Sequence, residues 1–423
     1  MKKITPRLWT TFILIGLIGQ FAWTIENMYF NVFLYNTITT DPTYIAWMVA
    51  ASAVAATLTT LMMGVASDRA GNRKYFICFG YLLWGVSTAA FGLLTVENAA
   101  KLFPMANAAA AAATLVVALD CIMTFFGSTA NDAAFNAYIT DSVQNERRGR
   151  VESVLAVLPL LAMLVIFGAF DGMTQRGEWR LFFGIFGGAV SLTGLIGFFL
   201  IPETPVERKR TPFFKSILYG FQPSVIRAQP RLYLSLCAMS VFSIAVQVFF
   251  PYLIIYMQHY LMMDNYAMVL GVVLIVASLA SVLMGKVIDR AGKLRVTLGA
   301  AGAMLAGLIG MYFVREAVPV IIAGSVMMSG FMVVTAALSA EIRDRTPEDK
   351  AGHFQGIRMI FAVMLPMLIG PFIGAAVIRG NAQTYVELGA TKTVPTPEIF
   401  LAAGVALLFV LIPVLLLRRR ENV

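Results

Sequence analysis

The sequence predicts an all-α membrane protein, with twelve transmembrane helices in two pseudo-symmetric six-helix bundles. Three observations carry that prediction. Of the 423 residues, 59% are hydrophobic and only 13% charged, whereas soluble domains carry about a quarter charged residues. Twelve apolar stretches approach the ~20 residues that a helix needs to cross a ~30 Å hydrocarbon core. A charged turn also occurs twice, as GVASDRAGNRK at 64–74 and GKVIDRAGKLR at 285–295, starting 221 residues apart. A turn repeated at half-length indicates a duplicated membrane bundle, a common plan for transporters.

The stretches run in order over 10–35, 44–64, 75–95, 108–140, 151–170, 181–201, 232–257, 267–287, 296–314, 318–340, 357–378 and 398–417. The first is too long for a signal peptide and stays as a helix. The second (44–64) and tenth (318–340) contain Met- and small-residue segments suited to helix packing. The fourth begins in an alanine run, so its start is the least defined. The fifth and seventh carry Pro159 and Pro251, and the eleventh carries IGPFIG at 369–374. The polar segment 202–230 divides them six and six. The expected domains are therefore an N-terminal bundle at 1–201, a linker at 202–230 and a C-terminal bundle at 231–423. Within the linker, FFKSILYGF at 213–221 reads as an amphipathic surface strip or a plain connection.

Charge is distributed unevenly. Of the 32 Lys and Arg, 26 fall in segments on the side that holds both termini, leaving Lys101, Arg176, Arg180, Arg315, Arg379 and Lys392 opposite. By the positive-inside rule both termini are cytoplasmic. The net charge of +9 is thus a topology signal, in which Arg208-Lys209-Arg210 and Arg418-Arg419-Arg420 take part, and it excludes nucleic acid as the partner. A lipid-headgroup role comes second. Cys78, Cys121 and Cys237 lie inside apolar stretches without metal-ligand spacing, and His259 and His353 do not cluster. No nucleophile elbow, phosphate loop or HExxH is present, so neither an enzyme nor a metal or cofactor site is expected.

In each repeated turn, glycine permits the left-handed backbone that ends a helix. Asp68 and Asp289 are placed near a helix N-terminus, and Arg69 and Arg290 near a carboxylate or lipid phosphate. Together Gly64, Asp68, Arg69, Gly71, Arg73, Gly285, Asp289, Arg290 and Gly292 form a candidate cytoplasmic gate. An ordinary basic loop is the alternative, which the second copy disfavours. These residues resemble the signature loop between helices 2 and 3 of the major facilitator superfamily and its echo between helices 8 and 9, with Asn72 where a basic residue is usual. A second echo, GRVESVLAVLP at 149–159 and GIRMIFAVMLP at 356–366, matches helix 5 to helix 11. The resemblance implies two bundles around a central cavity lined in part by helices 1 and 4.

Three acids fall deep inside the stretches: Glu26 in helix 1, and Asp120 and Asp132 in helix 4. No Lys or Arg lies equally deep. A buried carboxylate is costly unless it is protonated, ion-bound or wet. At ~1.5 Å per residue, Glu26 lies roughly 14 Å and Asp120 roughly 16 Å from the outer ends of their helices, with Asp132 about 18 Å further in. Glu26 and Asp120 therefore meet at one level if their helices are neighbours. Asp120, Thr124, Gly127/Ser128 and Asn131 make one polar stripe at i, i+4 spacing. Gln20, Trp23, Asn27 and Asn31 add groups from helix 1, and Gln247, Tyr252 and Tyr256 from helix 7. The functional expectation is that Glu26 and Asp120, with Asp132 second, carry a coupling proton or sodium ion. The amides, Thr124 and the aromatic rings would bind a polar substrate. The alternative is helix-to-helix hydrogen bonding.

SDRAGNRKYFICFGYLLWGV and AYITDSVQNERRGRVESVLAVLP resemble the glycoside–pentoside–hexuronide:cation symporters of the melibiose-permease type. That implies cation-coupled uptake of a sugar or glycoside by alternating access in the cell membrane. Helix 2 departs from the family, because AWMVAASAVAATLTTLMM (46–63) holds none of its cation-binding acids. The runner-up is a proton-coupled exporter of amphipathic compounds, although helix 5 lacks the Gly-Pro motif of such antiporters. A non-transporting sensor is the third reading. The expected partners are a small-molecule substrate and membrane lipid, and with the symmetry internal a monomer suffices.

Overall fold

The computed structural model describes residues 5–104, 107–143, 151, 154–202, 221–346, 351–380, 383–387 and 390–421. Among them, twelve helices are long and apolar enough to cross a membrane. They are α1 (Pro6–Thr37), α2 (Pro42–Ala70), α3 (Arg73–Leu93), α4 (Ala108–Ser142), α5 (Leu158–Gln175) and α6 (Trp179–Leu200), then α7 (Pro230–Tyr260), α8 (Tyr266–Gly285), α9 (Lys293–Phe313), α10 (Ala317–Arg345), α11 (Gly356–Gly380) and α12 (Glu398–Arg419). Each overlaps one expected stretch. The linker residues 203–220, Arg208-Lys209-Arg210 among them, lie outside the described residues, as do Gly149 and the side chains of Asp289, His353 and Arg420.

Local chemistry explains the helix ends. Thr5 accepts the Leu8 amide and Pro6 occupies the first helical position of α1, where its missing N–H costs nothing. The alanine run of α4 begins at Ala108 because Asn107 Oδ1 accepts the amides of Ala109 and Ala110 at 3.1 and 3.3 Å, a side-chain N-cap. In the repeated turns Gly71 and Gly292 take φ of +66° and +89°, a region that disfavours any Cβ.

The chain packs as two compact units, Met1–Thr39 with Val54–Phe213, and Thr40–Ala53 with Phe214–Val423. In the first, α3 packs on α4 and α6, while α1 packs on α5 and α6. In the second, α9 packs on α10 and α12, while α7 packs on α11 and α12. These pairings match when six is added to each helix number, so the internal repeat extends from the turns to the packing. The segment Thr40–Ala53, the start of α2, groups with the second unit, whereas the sequence boundaries place all of α2 in the first.

Among the described residues, five membrane helices contain a π-helical segment: Ile25–Tyr29 in α1, Ser128–Phe135 in α4, Ile166–Phe170 in α5, Tyr256–Tyr260 in α7 and Ile360–Met364 in α11. Such segments are rare and concentrate at functional sites. The helices α1 and α7, and α5 and α11, are counterparts in the repeat, but their π-segments sit at different positions: after Pro159 in α5 and before Pro366 in α11, the two prolines that the echo aligns. The π-segment of α4 has no counterpart, because α10 is α-helical throughout. In α11 the segment precedes Pro366, whose missing N–H releases a carbonyl of the preceding turn. A two-stranded antiparallel hairpin, β1 (Gln383–Glu387) with β2 (Ala390–Val394), joins α11 to α12. The sequence reading leaves this connection as a loop, since five-residue strands carry too little alternation to stand out among twelve apolar helices.

Candidate functional site

The site centres on the π-segment of α1. Glu26 is 8% exposed, and its Oε1 accepts a 2.9 Å hydrogen bond from Thr124 Oγ1 on α4. Its Oε2 is buried without a hydrogen-bond partner among the described residues. The charges of Asp120 and, more weakly, Asp132 act on the same carboxylate. Asp120 is buried at 1% exposure, and Asp132 accepts Ser128 Oγ at 3.0 Å. α4 holds no Lys or Arg, and α1 holds only Arg7 near its start. Three acids thus lie on α1 and α4, whose membrane-crossing parts carry no Lys or Arg of their own.

The polar stripe of α4 follows a different path from the expected one. It runs Asp120, Thr124, Ser128, Asp132, because the π-segment from Ser128 widens the helix and turns Asn131 away. Asn131 Nδ2 instead donates to Tyr81 Oη at 2.8 Å, and that hydroxyl donates to the Ile15 carbonyl at 2.7 Å. The chain of bonds links α4 to α3 to α1. Gly19 makes room for it, since a Cβ there would stand 1.9 Å from Asn131 Nδ2.

Other expected residues of α1 divide between bonded and ring-packed positions. Asn27 is exposed and donates to the Trp23 carbonyl at 2.8 Å. Asn31 donates to the Asn27 carbonyl at 2.9 Å, and its buried Oδ1 has no partner among the described residues. Gln20 is half-buried. The Trp23 ring lies 4.9 Å from that of Trp84, inclined at 54°. In the second unit Gln247 is half-buried. The Tyr252 hydroxyl donates to the Pro371 carbonyl at 2.8 Å, which commits it to packing α7 on α11. Tyr256 stacks on Tyr260 with centroids 5.2 Å apart, and its buried hydroxyl has no partner among the described residues.

A fourth buried acid escapes the sequence reading. Asp171 is 2% exposed in α5, where Tyr29 Oη donates to Oδ1 at 2.8 Å and Gln175 Nε2 to Oδ2 at 2.7 Å. The fifth stretch ends at residue 170 on hydropathy, one residue short, while the helix continues to Gln175. Tyr29 closes the same π-segment that carries Glu26, so Asp171 anchors that segment to α5.

At the turn-bearing end, Arg69 and Arg73 differ in burial. Arg69 is exposed. Arg73 is 6% exposed, pairs with Asp68 and with Asp141 of α4 at 3.2 Å, and donates to Ser67 Oγ. The helical register explains the difference. Residue 73 opens α3 and faces inward between α2 and α4, whereas residue 69 is still on the outer face of α2. In the second turn Lys293 pairs with Asp344, and Arg290 is exposed. A side chain at Gly64 or Gly285 would meet no neighbouring atom among the described residues.

The opposite end carries its own ion pair. Arg379 donates to both oxygens of Asp41 at 2.9 Å, and the Thr43 amide donates to Asp41 at 2.9 Å. Burial pushes the Asp41 carboxyl up, but the Thr43 bonds and the Arg379 guanidinium outweigh it, holding the group below the usual range.

No curated protein sequence matches the chain. Solved structures that share its fold include two described as the nucleoside transporter NupG. The D323A mutant superposes with a TM-score of 0.74 at 12% identity, over 96% of this chain and 98% of that one. The other gives 0.69 at 11% identity, over 99% and 100%. The family model described as Major Facilitator Superfamily matches residues 12–371 and 266–423. The chain belongs to the Major Facilitator Superfamily and is a multi-pass membrane transporter, not an enzyme.

Proposed function

We propose that the protein is a proton-coupled secondary transporter of a small polar solute, with Glu26 as the coupling group and Asp120 and Asp132 as its electrostatic partners. The observation that carries this reading is the Glu26 carboxylate: buried, bonded on one oxygen only, and placed against the helix that carries Asp120 and Asp132. A buried carboxylate bonded on one oxygen only is costly as a free anion, and taking up a cation there changes the balance between helices. A proton is taken as the coupling ion, since one buried carboxylate bonded on a single oxygen can hold a proton without further ligands.

The solute is proposed to carry a sugar ring. The glycoside-symporter resemblance and the nucleoside transporters that share the fold have that one chemical feature in common. Trp23, Asn27, Asn31 and Tyr256 offer the ring faces and hydrogen-bonding groups that sugar recognition uses. The topology follows the positive-inside bias, with both termini and the two repeated turns cytoplasmic.

Purified protein in liposomes, given an inward proton gradient, should accumulate labelled nucleosides or glycosides. Glu26→Gln should abolish accumulation while retaining exchange of solute down its own gradient. Normal accumulation by both Glu26→Gln and Asp120→Asn overturns the coupling assignment. Extrusion of lipophilic dyes without sugar or nucleoside uptake would show the exporter instead.

A further inference from the structure

The second repeated turn borders a cavity of about 520 Å³, walled by the ends of α8, α9, α10 and α12. Its charged lining is Lys293, Arg295, Glu341, Asp344, Arg345 and Arg418. Lys293 pairs with Asp344 and Arg345 with Glu341, so both acids are engaged. Arg295 and Arg418 remain, both exposed on the wall, without an ion-pair partner among the described residues. The cavity thus presents two guanidinium groups with no carboxylate left to meet them.

The repeat shows why this niche is open. When Gly64 is placed on Gly285 and Gly71 on Gly292, Arg73 falls on Leu294 and Ser67 on Ile288. In the first unit Arg73 fills the equivalent space and is bonded to Asp68, Asp141 and Ser67. In the second, an apolar side chain stands in its place, and Arg295, the counterpart of Lys74, lines the cavity with Arg418. The first turn of α9 adds unsatisfied backbone N–H groups, since no side chain caps it, and these also favour an anion.

We propose that this cavity binds a phosphate group, borne by an anionic phospholipid of the leaflet on that side. Arginine forks match phosphate oxygens in pairs. The flanks of the cavity supply the rest of a lipid site. On α8 Val282 and Leu283 are 78% and 75% exposed, and on α12 Leu415 and Leu416 lie exposed just before Arg418. A headgroup held at Arg295 and Arg418 lays its acyl chains along these apolar surfaces.

The test measures binding of phosphatidylglycerol and of phosphatidylcholine to the detergent-purified full chain by native mass spectrometry, with inorganic phosphate alone as a separate arm. Phosphatidylglycerol should bind in preference. Arg295→Gln with Arg418→Gln should weaken it by roughly 30-fold, at about 1 kcal/mol for each basic group at a membrane surface. Arg419→Gln, on the same helix end but outside the lining, should leave it unchanged. An equal loss with Arg419→Gln would mean that general surface charge does the binding, and would overturn the site. Binding of inorganic phosphate without lipid preference would overturn the lipid assignment. A double variant that melts with the wild type yet retains full binding would overturn the proposal outright.

Discussion

Thr124 on α4 donates a 2.9 Å hydrogen bond to Glu26 on α1, at a point where α1 leaves α-helical geometry for one π-turn. The bond ties a buried acid on one helix to the polar stripe of another, so a change in the charge of Glu26 is felt directly at the α1–α4 contact. Thr124→Val keeps the side-chain shape and removes the donor. It should slow proton-driven uptake about fivefold, the equivalent of ~1 kcal/mol for one hydrogen bond. Uptake rates in liposomes at fixed proton gradient check this, with the exchange rate as the internal control.

The Ile15–Tyr81–Asn131 chain of bonds ties α1, α3 and α4 together. Tyr81→Phe should lower thermal stability by ~0.6–2 kcal/mol, the range for hydrogen bonds between membrane helices, with solute affinity unchanged. Gly19→Ala should cost more, because its Cβ would meet Asn131 Nδ2 at 1.9 Å. A melting series in one detergent ranks the two, and the reverse order would disprove the geometric account.

Arg73, not Arg69, should be the sensitive arginine of the first turn. Arg73→Gln leaves Asp68 and Asp141 facing each other without their shared cation, while Arg69→Gln removes an exposed charge. Loss of the buried partner should destabilise the protein by ~1–3 kcal/mol, and the exposed substitution by less than ~0.5 kcal/mol. Side-by-side melting curves decide between them.

The Asp41–Arg379 pair should respond to acid. Asp41 is held below its usual range, so its contribution is fully present above the unfolded-state value of about 3.9. It is lost as the pH falls through the lower folded-state value. The stability gap between wild type and Asp41→Asn should therefore be wide near neutrality and close as the pH falls below about 4. Melting temperatures from neutral pH downward would show it, and a gap independent of pH would refute the assignment.

Much of the architecture is legible in the residue order. Hydropathy locates all twelve helices, since crossing a hydrocarbon layer needs a long apolar run whatever packs beside it. The level match between Glu26 and Asp120 follows from helical rise alone. Asn131 is different: its expected place on the stripe assumes a regular helix, and the π-segment from Ser128 redirects it. Asp171 is missed because the apolar run of the fifth stretch ends at Phe170, one residue before the acid. Hydropathy cannot see that Tyr29 and Gln175 satisfy that acid. The pairing of Arg73 with Asp141, 68 residues away, joins the ends of two helices whose approach no local pattern records.

The sequence by itself determined that this chain spans a membrane twelve times, that its halves are repeats, and that its deep acids lie in the first half. These are properties of composition, periodicity and spacing, which each segment carries alone. Tertiary structure decided which acid meets which hydroxyl, which arginine is buried, and which copy of the turn is plugged by its own side chain. Those outcomes depend on where helices distant in sequence come into contact. A π-turn or a single residue of register is enough to exchange one partner for another.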